Sequence, residues 1–295
     1  MTVTNASTIR RVSTARLAPI HPEAADWSTR VVAQGASVST ATLANVSRLC
    51  YAIHSAGIRD RFLRLNVFSG TGLNAAITPL FRGQSLAGAQ FGGTVDTNAG
   101  GASAFVSGDY SESVGLTGTG TKHLDTGLST SLVTAAQWES MHFSGWHGPI
   151  AAVNTDPFVV GMFGSDRYGL QLSIRTAALA YETGRAGRTA TVVATSGVQG
   201  ARPSAFLLNQ RTSTVSQELY RNGSLEVTSA TATTGILTSA FSFFVFAYNN
   251  SGTRAGDQPG TPLRHYSIGL AMTATQVSAF YSAMLAFNTS MGRTS

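Results

Sequence analysis

Residues 215–230 read VSQELYRNGSLEVTSA. Asn222-Gly223 is the dipeptide a two-residue type I′ turn prefers, because both central positions take φ > 0. The flanks are strand-like and place Leu219 and Leu225 where they can face a core. Similar short runs recur along the chain. After RFLRLNVFSG (61–70), candidate strands fall at 76–81, 103–107, 131–139, 157–163, 168–175, 189–195, 204–210, 214–221, 224–229, 240–248 and 264–270. Gly, Ser, Asn and Pro separate them. Regular short strands with such turn signals predict a mainly β, antiparallel sandwich or barrel.

Two segments break the pattern. In STATLANVSRLCYAIHSA (39–56), Leu43, Val46, Leu49, Cys50 and Ile53 share one helical face. Ser39 or Thr40 caps its start and Gly57 closes its end. Near the C-terminus, Thr273 with Gln276 forms a capping box for a helix over 273–291. Val277, Phe280, Tyr281, Met284, Leu285 and Phe287 make a wide apolar stripe, and Gly292 ends it. That stripe must be buried, and an open face or edge of the sandwich is its expected cover. A membrane-surface helix is not expected, because the polar face has no Lys or Arg before Arg293.

Composition bounds the function. The chain has 295 residues, 43% hydrophobic and only 12% charged. A typical soluble domain has about 25% charged residues. The surface is therefore neutral and hydroxyl-rich, as in secreted β-proteins and virion proteins. Net charge is +6 and Lys122 is the only lysine. Residues 1–36 are polar and basic, with Pro19 and Pro22 and no clear period, and predict an extended N-terminal arm. Residues 37–295 are expected to form a single domain. The arm's arginines are spaced out with no lysine-rich run. That favours docking on a protein surface over tracking a phosphate backbone. One cysteine, Cys50, means no intrachain disulfide, consistent with folding in a reducing compartment. The N-terminus has no apolar h-region, so no secretory leader is expected, and no apolar run is long enough for a membrane span.

Catalytic and metal motifs find little support. Gly70-Thr71-Gly72-Leu73-Asn74-Ala75 fits GxGxxA, but Pro79 interrupts any helix that starts there, so a β-turn is expected. His142 and His147, in MHFSGWHG, lack a third ligand nearby, and His21, His54, His123 and His265 are scattered. No metal or cofactor is expected. Asp156, Asp166 and Asp257 read as turn residues. No paired carboxylates stand at glycosidase spacing and no GxSxG is present, so the protein is not expected to be an enzyme. Exposed aromatics in a sandwich bind sugar faces, and Trp138, Trp146, Tyr168 and Tyr248 are the glycan-binding candidates.

LYRNGSLEV (219–227) resembles the hairpin of concanavalin A-like and laminin-G-like jelly rolls. HYSIGLAMTATQVSAFYSAMLAFNTSMGR (265–293) resembles the closing strand and helix of tailed-bacteriophage virion structural proteins with that sandwich. The likeness extends to AGIRDRFLRLNVFSGTGLNAAITPLFRG (56–83) and FVSGDYSESVGLTGTGTKHLDTG (105–127). The resemblance implies a jelly-roll virion component: a capsid decoration, head fibre, or tail tip or fibre protein. Its arm would dock on other virion proteins through Arg10, Arg11, Arg16 and Arg30. The sandwich would face outward, assemble as a homo-oligomer and bind a host glycan. Assembly would take place in the host cytoplasm. A free carbohydrate-binding lectin, or a glycoside hydrolase or lyase of the same sandwich class, are the alternatives.

Overall fold

The computed structural model describes residues 19–132, 134–150, 158–163, 167–171, 183–187, 192–194, 203–230, 240–256 and 260–293. Two antiparallel sheets stack face to face, and helices cover the outer face of one of them. The antiparallel sandwich expected from the turns, which the resemblance makes a jelly roll, is therefore present, with a third layer added.

The central sheet runs from an edge at β13 (Ser224–Ser229) through β12 (Ser216–Arg221), β11 (Ala205–Ser213), β6 (Met141–His147), β17 (Pro262–Leu270) and β4 (Gly115–Thr117) to β3 (Tyr110–Ser111). β1 (Phe62–Asn66) also pairs with β17. The outer sheet runs β10 (Val192–Ala194), β9 (Thr183–Gly187), β8 (Arg167–Gln171), β7 (Phe158–Phe163), β14 (Ser242–Val245), β5 (His123–Ser129) and β2 (Thr97–Ala99). β15 (Tyr248–Asn250) joins β7 in parallel and β16 (Thr253–Ala255) in antiparallel.

The hairpin forms as its dipeptide dictates, with φ of 48° at Asn222 and 79° at Gly223. Leu219 is buried between the sheets. Leu225 is not: it is 49% exposed. A bulge between Leu219 and Tyr220 shifts the register, so Leu225 pairs with Tyr220 on the helix-facing side of an edge strand. Other expected strands fail. Leu73–Ala76 is a short helix, α3, and Ala135–Trp138 another, α4. The apolar run 76–81 is buried without being a strand. Gly70 and Gly72 both take positive φ in the turn expected there, but a helix does start after it: α3 ends at Ala76, before Pro79 can interrupt it.

The two expected helices are present. α2 spans Thr40–Ser55 with Ser39 capping Thr42 N–H, and α5 spans Ala274–Ser290 with the Thr273/Gln276 capping box. Val277, Phe280, Met284 and Phe287 are buried, while Leu285 points outward. α5 covers the central sheet: Phe280 meets Phe62 at 4.9 Å and Phe206 at 5.4 Å between ring centroids. Residues 22–33 correct the arm. They form a helix, α1 (Pro22–Ala33), packed on α2. Pro22 sits at the first helical position, where its missing N–H costs nothing. Trp27 is fully buried and donates from Nε1 to Thr78 O at 3.0 Å. No helix among the described residues is long and apolar enough to cross a membrane.

Arg293, after α5, is buried and ties the chain end down. It donates to the carbonyls of Glu112, Val67, Arg264 and Phe68. A second buried cation, Arg64, pairs with Asp96 at 2.6 Å, both side chains being inaccessible. Tyr266 and Asn66 also donate to Asp96. Gly92 admits this guanidinium: its φ is +71°, and a Cβ there would stand 2.7 Å from Arg64 Nη1.

Between the central sheet and α5 lies a polar row. His142 Nε2 and Ser144 Oγ each bond Ser267 Oγ, at 2.8 and 2.6 Å, and Ser144 Oγ meets His265 Nε2 at 3.1 Å. His142 Nδ1 bonds Leu270 O at 2.7 Å. Burial pushes His142 down to about 4 and His265 to about 3, the latter helped by Arg293.

Two predictions follow from this packing. Asp96→Ala strands Arg64 as a buried unpaired charge and should destabilise the protein by about 3–5 kcal/mol, read as a lower urea midpoint. For the histidines, the unfolded rings titrate near 6.5, above their folded values of about 4 and about 3. The unfolded chain therefore binds more protons in that window. Stability should be full above pH 6.5 and fall as pH drops through 4 towards 3. His265→Phe should make that slope in the urea midpoint shallower.

Candidate functional site

Where the β12–β13 hairpin leaves the central sheet, α5 begins above it. A cleft of about 500 Å³ opens between them. Its geometry starts with Gln210 on β11. The Gln210 amide pairs with the backbone of Met272, donating from Nε2 to Met272 O at 2.8 Å and accepting from Met272 N at 2.8 Å. This fixes the start of α5 over the sheet. The same Nε2 donates to Glu218 Oε2 at 2.7 Å, and Tyr220 OH donates to that oxygen at 2.8 Å. Glu218 and Tyr220 alternate on β12 and so share a face. Both bonds fall on Oε2, and Oε1 takes neither. Burial and the Glu218 carboxylate push the Tyr220 hydroxyl upward.

Arg61 enters from the start of β1. Its side chain is 35% exposed, and Nε lies 3.5 Å from Asp60 Oδ1, an ion-pair distance. That nitrogen is buried and makes no hydrogen bond. Thr212, Thr273 and Gln276 add hydroxyl and amide groups, and Leu225 adds an apolar wall. Among the described residues, Glu218 is the one acid lining the cleft. A lone carboxylate beside a guanidinium offers an acceptor and donors for a polyhydroxylated ligand. It does not provide the carboxylate pair that glycoside hydrolysis uses.

Of the aromatics singled out from sequence, Trp146 and Tyr248 lie elsewhere. Trp146 is 3% exposed and serves the core. Its ring stacks on Tyr281 at 5.8 Å under α5, and Nε1 donates to Ser204 Oγ at 2.9 Å. It presents no face to a sugar. Tyr248 is half-buried on the outer sheet, its ring 4.7 Å from Phe158. Trp138 ends α4 and Tyr168 belongs to β8, and both side chains lie outside the described residues. Trp146 and Tyr248 therefore belong to different sheets and share no platform. Arg10, Arg11 and Arg16 also lie outside the described residues, as do Asp156, Asp166 and Asp257. Arg30 does not belong to an arm. It is 12% exposed on α1, pairs with Asp26 at 2.8 Å and donates to Pro79 O and Leu80 O. Those bonds engage each of its three nitrogens inside the fold.

The structure also joins two histidines that are scattered in sequence. His21 precedes α1, His54 sits near the end of α2, and Glu23 lies between them. His142 and His265 are linked through Ser267 and Ser144, but inside the core.

No protein-family model and no curated protein matches the chain. Several solved structures are similar over part of it. The CBM40 of a Ruminococcus gnavus sialidase, bound to α2,3-sialyllactose, is 12% identical, with a TM-score of 0.44 over 56% of this chain and 95% of that one. The binding domain of botulinum neurotoxin serotype D is 12% identical, with a TM-score of 0.47 over 79% of this chain and 53% of that one. A botulinum neurotoxin type C structure, described with the dependence of its cell entry on two ganglioside molecules, is 10% identical with a TM-score of 0.40. The match spans only 39% of that toxin chain's length. At such values the sandwich rests on the strand pairing itself.

Proposed function

We propose that the protein is a non-catalytic, lectin-like module displayed on a tailed-phage virion, binding a host-surface glycan in the cleft between the β12–β13 hairpin and α5. The observation that carries this reading is the cleft's inventory. Arg61 brings a partly exposed guanidinium, Glu218 keeps Oε1 free of both its internal bonds, and hydroxyl and amide groups line the same cleft. Sugar hydroxyls donate to Glu218 and sugar oxygens accept from Arg61. Leu225 takes the apolar face of a ring.

The virion assignment is supported by the likeness of residues 56–83, 105–127 and 265–293 to phage virion proteins. The basic residues Arg10, Arg11 and Arg16 are its docking contacts. Several copies gather around a symmetry axis of the particle. A free lectin would use the same cleft without the particle.

The test is a glycan array followed by titration calorimetry on the full chain, Arg61→Ala and Glu218→Gln. Charge-assisted hydrogen bonds contribute about 1.5–3 kcal/mol, so each variant should lose about tenfold or more in affinity. Hits that both variants retain would place binding elsewhere. Release of reducing sugar from a bound glycan would overturn the non-catalytic reading. The full chain should also cosediment with phage particles, and glycan binding without cosedimentation would leave the free lectin.

A further inference from the structure

We propose that His21, Glu23 and His54 form a site for a divalent transition-metal ion of the Zn²⁺ class, clipping the start of α1 to the end of α2. One ligand atom from each lies within 4.8 Å of the other two. Two imidazoles and a carboxylate are the donor set that Zn²⁺ takes with an open fourth position. Ligands about 2.1 Å from a tetrahedral ion stand about 3.4 Å apart. The ligand atoms lie within 4.8 Å of one another and His54 Nε2 stands 2.8 Å from Glu23 Oε2, so seating the ion takes shifts of about an ångström. His54 supplies that movement, because its side chain is 42% exposed. The same exposure gives the ion its path in and leaves room for a water.

The other two ligands are held in place. His21 N–H donates to Ser47 Oγ on α2 at 2.8 Å. Glu23 is buried, and its Oε1 accepts from Arg59 Nε at 2.7 Å. Arg59 is itself fixed, donating to Gly83 O at 2.6 Å with its guanidinium 3.9 Å above the Phe81 ring. An outer partner that orients a ligating carboxylate is a usual part of a metal site. Glu23 Oε2 remains for the ion and now meets His54 Nε2 at 2.8 Å. The metal takes the place of the proton in that contact. At His21 it displaces the longer 3.2 Å bond from Glu23 N–H to Nδ1. The two rings already lie 4.5 Å apart between centroids. Burial, and then His54, lower the basicity of His21. Arg59 offsets the Glu23 charge, which makes this a weaker site than a closed thiolate cage.

The other histidines do not compete. His142 and His265 are buried under α5, and Cys50 is buried in the helical core. His123 is the control, bonded to Thr121 O on the outer sheet.

The experiment uses the untagged full chain, stripped with EDTA and dialysed. Zn²⁺ is added in titration calorimetry and thermal unfolding, and Co²⁺ in visible absorption spectroscopy. The wild type and His123→Ala should bind one equivalent. At a hundredfold excess over Kd, the midpoint should rise by about 5 °C. Co²⁺ should give the intense visible bands of a four-coordinate site. His54→Ala should unfold at the wild-type temperature in EDTA, yet lose at least tenfold in Zn²⁺ affinity along with those bands. Glu23→Gln should lose the same response. Binding that is absent in the wild type at 100-fold molar excess, or unchanged in His54→Ala, overturns the proposal.

Discussion

Everything in this fold depends on one constraint: the central sheet is buried on both faces. Each residue of β6 is buried, and β17 is buried at all but its two ends. Met141 and Phe143 meet the outer sheet, while Trp146 faces the helices. A sheet with one wet face would need no third layer. This one does, and α5, with α2 and α1 behind it, supplies it. The long amphipathic helix that closes a β-rich chain is therefore the lid of the sandwich. The polar groups caught beneath it, His142, Ser144, His265 and Ser267, bond one another, which lowers the cost of burying them.

The cleft follows from where that lid starts. The chain must pass from β17 over the sheet edge before α5 can begin, and Gln210 pins the crossing at Met272. The hairpin continues outward past that point, so a cleft remains between hairpin and helix. Its groups arrive from β1, β12 and the first turn of α5. Both faces of β6 and β17 are already occupied, and the open cleft lies beside the hairpin.

Local signals were legible in the sequence, and long-range ones were not. Asn222-Gly223, the capping box at Thr273 and the stripe in residues 39–56 each act within a few residues, and each stands as read. The helix at 22–33 was missed because Pro19 and Pro22 read as breakers, although Pro22 begins the helix. MHFSGWH gave no clear strand pattern because His142 and Ser144 lie on a buried face, satisfied by residues more than 120 positions away. Trp146 stands as a glycan candidate in the sequence because nothing local reveals that Tyr281 covers it. The cleft was illegible for the same reason. Glu218 and Tyr220 were visible as strand neighbours, but Arg61 and Thr273 reach them only through the fold.

The most direct test of this account is native-state hydrogen exchange on the full chain. If α5 is the lid on which the central sheet depends, the amides of β6, β17 and α5 open together, with the free energy of global unfolding. Exchange of α5 at a much lower free energy, while β6 and β17 stay protected, would show that the sandwich stands without its helical layer and would contradict the account.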